Sequence, residues 1–444
     1  MRGFLTSSIG VTCAGALVLP WAAQGTLAGP ASAGPASAGP ADTGPASASP
    51  ADTGPAAASP AAADAVAGST RSLPLVPLSP DRDGGAPDQG LFRSGVRHFS
   101  LVGVVWDDPD RELRGQVQVR TRSVTAGTWS AWQDVDPHNG DHGADPGTAE
   151  RTSRGVRGAT APLWVGSSDG VDVRVRADAD ARTAQGRAKP PRSPLPSGLR
   201  LELVDPGHEA PTTASPAEIP ELNRQATEGE MSRLTGELPR GKPHIGPRPK
   251  IVTRRGWGAD ESLRERGFVY TKKVKAAFVH HTDSGNTYTC AQAPSVVRGI
   301  YRYHVKSMGW RDIGYNFLVD KCGILYEGRA GGVTKAVLGA HTLGFNSNST
   351  GIAVLGSYGS AKPSSAAVKA IARLTAWKLG LYGVDPRGKT YLTSGGGNLY
   401  PKGKNVRLNV ISGHRDGYAT DCPGKRLYAK LGSARSSAAA YQGR

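Results

Sequence analysis

The stretch KAAFVHHT, residues 275–282, is the point around which this 444-residue chain is organised. Its apolar run, 276–279, is short and lies between a Lys-rich turn and Asp-Ser-Gly, a pattern typical of a strand buried on both faces. Side chains alternate along a strand, so His280 and His281 are predicted to point to opposite faces of the sheet. At most one of the two histidines can therefore face a given site.

A second polar stretch, GHRDGYATDCPG at 413–424, offers a histidine and a cysteine in one irregular loop. Imidazole and thiolate suit zinc, and three protein ligands with a fourth position left for water are the catalytic form of a zinc site. The spacing of His414 and Cys422 matches none of the common zinc-finger patterns. The residues alone therefore make these side chains candidates for a zinc site that one histidine of 275–282 would complete.

The chain is strongly basic, with a formal charge of +17 from 54 Lys and Arg against 37 Asp and Glu. This surplus favours a polyanionic partner, namely nucleic acid, an anionic membrane or an anionic cell wall, although a solubility charge is the alternative. Arg2, the apolar stretch from Ile9 to Ala23 and the small residues after it predict a secretory signal peptide over 1–28. No other segment reaches 18 apolar residues, so no transmembrane segment is expected. A secreted protein favours the cell wall over nucleic acid.

The four cysteines are consistent with export. Cys13 lies inside the predicted signal peptide, which leaves Cys290, Cys322 and Cys422. An odd number in an oxidising compartment means that one cysteine is unpaired or binds a metal. Three pairings are possible, and the cysteine count does not choose among them.

Three regions are predicted between the signal peptide and the second domain. Residues 29–91 contain repeated Ala/Pro/Gly-rich pentads that cannot bury enough apolar area to fold, which predicts a disordered tether. Residues 92–207 alternate apolar and polar side chains, as in 115–122 and 170–177, which predicts an all-β, sandwich-like domain of unknown role. Residues 208–250 are rich in Pro, Glu and Lys and are predicted to be a linker.

Two features of the β domain leave alternatives open. Trp129, Trp132 and Trp164 could stack on a sugar, but a place in the core is favoured. The loop 134–150 carries several aspartates whose spacing does not fit an EF-hand, so a solvated loop is favoured over a calcium site.

Residues 251–432 mix the two kinds of secondary structure. Helical periodicity over 293–308 and 364–380 alternates with strand patterns over 315–329 and 350–358. This predicts an α/β or α+β domain that is large enough for one core. Residues 433–444 are predicted to form a flexible C-terminal tail.

Five stretches of this domain carry a family resemblance in a fixed order: TRRGWGADES (253–262), FVHHT (278–282), YHVKSMGWRDIGYNFLVDKCGILYEGR (303–329), GAHTLGFNSNSTGIAVLGSY (339–358) and GHRDGYATDCPG (413–424). They resemble the peptidoglycan recognition proteins, equivalently the zinc N-acetylmuramoyl-L-alanine amidases related to phage T7 lysozyme. The resemblance implies a mixed central sheet flanked by helices, with a groove across the zinc. It does not extend to 29–250.

The resemblance also implies roles for individual residues. His280, His414 and Cys422 would be the zinc ligands, and Tyr315 and Thr420 would be catalytic. Binding-only members of the family lack one or more of these ligands, usually the cysteine. The complete set therefore favours a secreted zinc-dependent N-acetylmuramoyl-L-alanine amidase over the alternative, a non-catalytic peptidoglycan-binding module with a structural zinc.

The expected reaction follows from zinc chemistry. Zinc lowers the pKa of bound water from about 15.7 to about 7 and so makes hydroxide available at neutral pH. The bond cut would be the amide between N-acetylmuramic acid and L-alanine. The hydroxyls of Tyr315 and Thr420 could help zinc to stabilise the oxyanion, while the general base is not identified.

Further expectations from the resemblance concern the groove and the disulfide. His281 would pack behind the sheet or support the site, and His304 could face either the groove or the core. The pair Gly309-Trp310 favours stem peptides with diaminopimelate over those with lysine, and the chain is expected to be a monomer. Residues expected to contact the peptidoglycan substrate are His304, Trp310, Arg311, His341 and Asn346, with Arg298, Arg302 and Arg311 as possible partners of the extra carboxylate. A disulfide is expected between Cys290 and Cys322.

Overall fold

The structure is a computed structural model that describes residues 68–78, 88–178, 193–207, 217–235 and 243–444. The predicted signal peptide and most of the predicted tether lie outside these residues. Within the described ranges, no helix is both long enough and apolar enough to cross a membrane.

An antiparallel sheet of nine strands forms the first domain within the described chain. The strands are β1 (Ser69–Pro74), β2 (Val76–Pro77), β3 (Gln89–Arg93), β4 (Phe99–Trp106), β5 (Gly115–Ser123), β6 (Gln133–Val135), β7 (Gly158–Ala159), β8 (Leu163–Ala177) and β9 (Arg200–Asp205). Their main order is β1-β9-β4-β8-β3-β2, with β5 paired to β6 and β8, and β7 paired to β4. The predicted all-β domain is confirmed. In β5 the period-two pattern buries Val117, Val119 and Thr121.

The β domain begins earlier than the sequence predicts. Strand β1 lies inside the stretch predicted as tether and pairs with β9 from Ser69 opposite Asp205 to Pro74 opposite Arg200. An edge strand gains its stability from backbone hydrogen bonds to one neighbour, so its side chains need not show a buried pattern. That is why composition did not reveal it.

The tryptophans of the β domain divide into two kinds. Trp164 is buried in the core, in agreement with the favoured prediction. Trp129 and Trp132 are half-buried, and the guanidinium of Arg120 lies 5.2 and 5.1 Å from their ring centroids. Arg174 lies 4.2 Å from the Trp132 centroid, so arginines already stack on these rings.

A mixed sheet with helices forms the second domain, as predicted. Its seven strands within the described residues run in the order β10-β11-β14-β13-β15-β12-β18, and a separate hairpin joins β16 to β17. The strands are β10 (Glu218–Ile219), β11 (Ile251–Val252), β12 (Ala276–His281), β13 (Phe317–Val319), β14 (Leu325–Glu327), β15 (Ser349–Val354), β16 (Lys389–Thr393), β17 (Asn405–Asn409) and β18 (Ile411–Gly413). The helices are α1 (Arg224–Thr235), α2 (Ala293–Arg302), α3 (Ser365–Gly380), α4 (Lys425–Tyr428) and α5 (Leu431–Gln442).

Strand β12 is the centre of this sheet, and all six of its residues are buried. It lies between β15 and β18 and is parallel to both. Helix α3 covers one face of the sheet with Ile371, Leu374 and Trp377. This helix begins after Ser364, whose hydroxyl accepts a hydrogen bond from the Ala367 amide at 3.0 Å, the N-cap that the sequence predicts.

The two domains share a hydrophobic cluster. Helix α2 and the π-helical turn after it (Tyr303–Ser307) bury Ile300 and Tyr303 against Leu101 of β4 and Val204 of β9. The Tyr303 hydroxyl donates a hydrogen bond to the carbonyl of Thr160 in the β domain at 3.1 Å. Because this interface is apolar and buried, the domains form one packed body and not two independent units on a linker.

Two segments predicted to be irregular are structured. The predicted linker 208–250 contains β10 and α1. The predicted flexible tail 433–444 lies mostly in α5, where Ala434, Ala438 and Ala439 are buried. Alanine is a strong helix former, and its small side chain allows close helix packing. The Ala-rich terminus therefore forms a helix where the sequence analysis predicted a flexible tail.

The disulfide between Cys290 and Cys322 is present, with 6.2 Å between the two Cα atoms. Among the described cysteines, Cys422 is the free one, and it is buried. The pairing that leaves Cys422 available for a metal is therefore the one in the structure.

Candidate metal centre

The parallel pairing of β12 and β18 brings two histidines together. The register places Val279 of β12 opposite Gly413 of β18, and a histidine follows each of these residues. The carboxyl ends of the two strands meet at the same edge of the sheet, so His280 and His414 lie side by side. Their ring centroids are 4.5 Å apart, and both side chains are fully buried.

Cys422 reaches the same point from the loop after β18. Its Sγ lies 3.7 Å from Nδ1 of His280, and the backbone bond from the Arg415 amide to the Cys422 carbonyl holds the loop closed at 3.0 Å. His280, His414 and Cys422, predicted as ligands, are thus brought together.

A fourth donor comes from the β domain and was not predicted. His142 lies in the segment between β6 and β7, residues 136–157, which we call the 136–157 loop. Its Nε2 lies 3.8 Å from Sγ of Cys422, and its ring centroid is 4.6 Å from that of His414. One potential ligand atom from each of His142, His280, His414 and Cys422 falls within a group no wider than 4.8 Å.

These four donors fit a tetrahedral metal. Usual zinc–nitrogen and zinc–sulfur bonds place a nitrogen and a sulfur ligand about 3.6 Å apart, close to the 3.7 and 3.8 Å separations from Cys422. Both ring nitrogens of His414 and Oδ2 of Asp141 are buried with no hydrogen-bond partner in the described part of the chain. Buried polar atoms are seldom left unpaired, and a cation bound by one nitrogen of His414 would give that atom a partner.

The environment of His280 and His414 keeps these two histidines neutral, as metal ligands must be. Burial lowers the pKa of His414 to about 3, and burial together with the neighbouring histidines places the pKa of His280 well below its usual value. Burial and the nearby Asp141 carboxylate raise the pKa of the Cys422 thiol. The thiol therefore keeps its proton until a cation enters, and metal binding should release that proton.

Two of the candidate ligands, His280 and His142, are oriented by contacts to the ring nitrogen that does not face Cys422. Nε2 of His280 lies 3.2 Å from Nδ1 of His341 and 3.3 Å from the Thr342 hydroxyl. Nδ1 of His142 lies 2.9 Å from Oδ1 of Asp141. A carboxylate behind a ligating imidazole is a common support for a metal site, since it fixes the ring and its tautomer.

The predicted catalytic side chains lie beside the cluster. The buried ring of Tyr315 has its centroid 5.5 Å from that of His280 and 5.8 Å from that of His142. Burial is the largest cause of a raised pKa for its hydroxyl, which therefore stays protonated and able to donate. Thr420 is half-buried, and its hydroxyl accepts a hydrogen bond from the Cys422 amide at 3.1 Å.

His281 points away from the cluster, as strand alternation predicts. Its Nδ1 accepts a hydrogen bond from the Tyr358 amide at 3.3 Å and lies 3.7 Å from the carboxylate of Asp283. Only the first histidine of the pair therefore takes part in the site.

The residues expected to contact substrate are near the site, but several are covered. His304 is buried and accepts a hydrogen bond from the Gly314 amide at 3.1 Å, and its ring centroid lies 4.5 Å from that of Trp310. His341 is fully buried next to His280. The side-chain amide of Asn346 donates hydrogen bonds to the Gly143 carbonyl and to Asp145, both in the 136–157 loop, at 2.8 and 2.7 Å.

Of the three arginines expected as possible partners of a substrate carboxylate, Arg311 has the most accessible position. Arg298 donates to the carbonyls of Trp257 and Gly207, and Arg302 is buried. Arg311 follows Trp310 and is paired with Glu265 at 3.0 Å in a more exposed place.

The loop with many aspartates is only partly solvated, whereas the sequence predicts a solvated loop. Asn139, Asp141 and His142 are buried, and Asp145 accepts hydrogen bonds from the second domain. The prediction was wrong because the partners of this loop are far away in sequence. A His directly after an Asp in a Gly-rich loop was the one local signal, since that pair suits a supported metal ligand.

A cavity of about 640 Å³ opens beside the cluster, between the two domains. Asp141 and Thr420 line it near the metal centre, and Trp106, Arg151 and Tyr418 line it farther out. It gives solvent a way to approach the Thr420 side of the site.

Comparison with known proteins identifies the family of the second domain. Residues 270–425 match the N-acetylmuramoyl-L-alanine amidase family, and residues 49–194 match the Rv3811 N-terminal galactose-binding domain-like family. The chain is 29% identical to peptidoglycan-recognition protein SC2 of Drosophila melanogaster over 181 residues, which are 41% of this chain and 84% of that protein. It is 30% identical to peptidoglycan-recognition protein SC1a of the same fly over 185 residues, 41% of this chain and 83% of the relative.

Two further matches are to a protein named as an amidase and to the solved structure of a peptidoglycan recognition protein. Human N-acetylmuramoyl-L-alanine amidase is 31% identical over 188 residues, which cover 41% of this chain and 28% of the human protein. The solved structure of wild-type Drosophila PGRP-LB matches with 26% identity and a TM-score of 0.32 over 41% of this chain and 92% of that one. This chain belongs to the family of peptidoglycan recognition proteins and N-acetylmuramoyl-L-alanine amidases. The family match contains His280, Tyr315, His414 and Cys422 but not His142.

Proposed function

We propose that this protein is a secreted, zinc-dependent N-acetylmuramoyl-L-alanine amidase that hydrolyses the amide between N-acetylmuramic acid and L-alanine in peptidoglycan. The observation that carries the proposal is the buried cluster of His280, His414 and Cys422 beside Tyr315, in a domain of the amidase family. Relatives with this domain include proteins named as amidases and proteins named for peptidoglycan recognition.

In this proposal His280, His414 and Cys422 hold the zinc. A zinc ion bound there would act as a Lewis acid and supply hydroxide at neutral pH. The Tyr315 hydroxyl, kept protonated by burial, donates a hydrogen bond to the oxygen on which negative charge develops. Thr420, at the edge of the cavity that leads to the site, is the second donor.

The substrate class and the location are supported by charge and by the disulfide. Peptidoglycan with its attached anionic polymers is a polyanion, and the chain carries a formal charge of +17. A disulfide is typical of proteins in an oxidising compartment outside the cytosol. If the charge serves to retain the protein on the wall, wall binding should weaken as salt rises, whereas cleavage of small soluble muropeptides should change little.

The alternative is a peptidoglycan-binding module whose zinc is structural. One observation favours it, because with His142 in place the metal would have four protein ligands, which is the form of a structural zinc site. Both functions are compatible with this fold and with the three ligands from the second domain, so the reaction itself must be measured.

The test is to incubate the zinc-loaded full chain with muropeptides and to detect free stem peptide by mass spectrometry. The variant His142→Ala is assayed in parallel, and Cys422→Ser serves as the inactive control. We expect stem peptide from the native chain or from His142→Ala but not from Cys422→Ser. If neither of the first two releases stem peptide, the binding module is the better description.

A further inference from the structure

We propose that the 136–157 loop is a built-in plug that holds the amidase site closed, with His142 in the metal position that a catalytic site keeps for water. The loop must move away before substrate can bind. This inference rests on the proposed function, and it adds a regulatory role for the first domain.

The first line of evidence is the position of His142. Catalytic zinc sites have three protein ligands and one open position, whereas structural sites have four protein ligands. His280, His414 and Cys422 supply three from the second domain, and His142 supplies the fourth from the first. Its Nε2 faces Sγ of Cys422 at 3.8 Å. The side chain is thus placed where water and the scissile carbonyl would need to be.

The second line of evidence is that His142 is oriented for this position. Asp141 holds Nδ1 of His142 at 2.9 Å, which turns Nε2 toward the cluster. The other oxygen of Asp141 lies 3.8 Å from Nδ1 of His414. A histidine that merely filled space would not need such support.

The third line of evidence is the set of anchors that fasten the loop to the second domain. Oδ1 of Asp145 accepts hydrogen bonds from the Gly344 amide at 2.8 Å and from the Asn346 side chain at 2.7 Å. Glu150 forms a buried bidentate ion pair with Arg329, with nitrogen–oxygen distances of 2.8 and 2.9 Å. Both carboxylates would be costly to bury without these partners, so the closed position is specified by paired polar groups.

The fourth line of evidence is that the loop lies on the residues assigned to substrate. Gly143 lies over the Trp310 ring, and its carbonyl accepts a hydrogen bond from Asn346. Gly155 meets Gly309, where an added Cβ would lie 1.9 Å from the Gly155 carbonyl oxygen and where φ is +73°. The absence of a side chain at Gly309 therefore makes room for the loop. Loop and substrate would compete for this surface.

The composition of the 136–157 loop would also allow it to move away from the metal centre. Within 136–157, all of which the structure describes, the buried apolar side chains are only Ala144 and Val156. Opening would therefore expose little apolar area of the loop itself, together with the Trp310 ring beneath it, and the polar groups that it frees can be hydrated. Strands β6 and β7 at its ends can stay paired to their sheet while the loop moves.

The decisive experiment compares His142→Ala with the native full chain and with His138→Ala, an exposed histidine of the same loop that serves as the control. Three quantities are measured: the visible absorption of the cobalt-substituted protein, the zinc affinity in competition with a chelator, and kcat/KM on soluble muropeptides. A plug that is closed nine-tenths of the time lowers the apparent rate about tenfold. We expect His142→Ala to change the cobalt spectrum, to weaken zinc binding and to raise kcat/KM at least tenfold, while His138→Ala matches the native chain.

A second variant keeps all four ligands and loosens only the anchors. In Asp145→Asn combined with Glu150→Gln, cleavage should rise while His142 remains available as a ligand. This variant tests whether the 136–157 loop is a plug if His142→Ala does not fold, as judged by circular dichroism. No rise in cleavage in this variant, with the native chain active, would overturn the plug.

The other outcomes separate this inference from the proposed function. An unchanged cobalt spectrum in His142→Ala would show that His142 is not a ligand, and the plug would be wrong even if every variant cleaves. A changed spectrum with slower cleavage would mean that His142 assists the reaction, which also overturns the plug. A changed spectrum with no cleavage by any variant would overturn the amidase proposal together with the plug.

Discussion

The adjacent histidines of β12 should respond in opposite ways to the same substitution. In His280→Gln, the metal centre loses the nitrogen that lies 3.7 Å from Sγ of Cys422. In His281→Gln, the chain loses a nitrogen that accepts one hydrogen bond from the Tyr358 amide on the other side of the strand. The two changes are chemically identical and one residue apart, so each controls for the other.

The expected magnitudes differ by the kind of contact that is lost. Loss of a group that only supports a metal ligand costs about 10- to 100-fold in affinity, so loss of a ligand should cost at least about 100-fold, or about 2.7 kcal/mol. Loss of one neutral hydrogen bond costs about 1 kcal/mol of folding stability and no metal affinity. His280→Gln should therefore lose zinc, and His281→Gln should keep zinc with a slightly lower Tm.

The assay is zinc content by plasma emission after dialysis against a chelator, with thermal unfolding measured before and after zinc is added. Zinc should raise the Tm of the native chain and of His281→Gln, since a ligand that binds only the folded state stabilises it. It should not raise the Tm of His280→Gln. Equal zinc content in the two variants, or loss of zinc only in His281→Gln, would refute the assignment of the strand faces.

Three further predictions follow from single sites. Cys422→Ser should abolish zinc binding and cleavage while the apo protein stays folded, because serine is close in size to the buried cysteine; retention of zinc, measured by plasma emission, would contradict this. The Gly309-Trp310 pair predicts that muramyl pentapeptides with diaminopimelate at the third residue are cleaved with a kcat/KM about ten- to hundredfold higher than those with lysine, as one charge-assisted hydrogen bond of about 1.5–3 kcal/mol would give. This comparison is best made in the His142→Ala background, and equal values would remove the argument. Burial lowers the pKa of Lys378 from 10.5 to about 7. Between these two pH values the unfolded chain therefore binds a proton that the folded chain lacks. The free energy of unfolding should rise with pH over this interval by at most about 5 kcal/mol. Urea titrations at about pH 7 and pH 10 should show this rise in the native chain and not in Lys378→Met.

Local patterns were sufficient for most of the second domain. Strand β12 and helix α3 were predictable because a short apolar run and a capped period of 3.6 residues are properties of neighbours in sequence. Opposite orientation of His280 and His281 followed from strand alternation alone. The residues alone made His414 and Cys422 candidates for a zinc site with one histidine of 275–282, and the family resemblance assigned His280 to it. Local patterns could not do so, because the parallel pairing of β12 with β18 joins residues more than 130 positions apart.

Features that depend on partners far away along the chain could not be predicted from local sequence patterns. Strand β1 is stabilised by hydrogen bonds to β9, more than 120 residues later, and helix α5 by packing onto the α3 side of the core. The loop 134–150 was predicted to be solvated because its binding partners, among them Gly344 and Arg329, belong to another domain. Such contacts leave no periodicity in the segment that makes them.

In the plug proposal, the position of the 136–157 loop decides between the two function classes that the sequence left open. With the 136–157 loop closed, a bound metal would have four protein donors, and the surface around Trp310 is covered, which fits a structural zinc. With the loop open, His280, His414 and Cys422 leave one position free beside Tyr315, which fits a hydrolase. The three ligands of the second domain are the same in both states, so those residues cannot by themselves distinguish the functions. The donor that can distinguish them is His142, because it comes from a different domain and lies in a loop outside the sheet that carries His280.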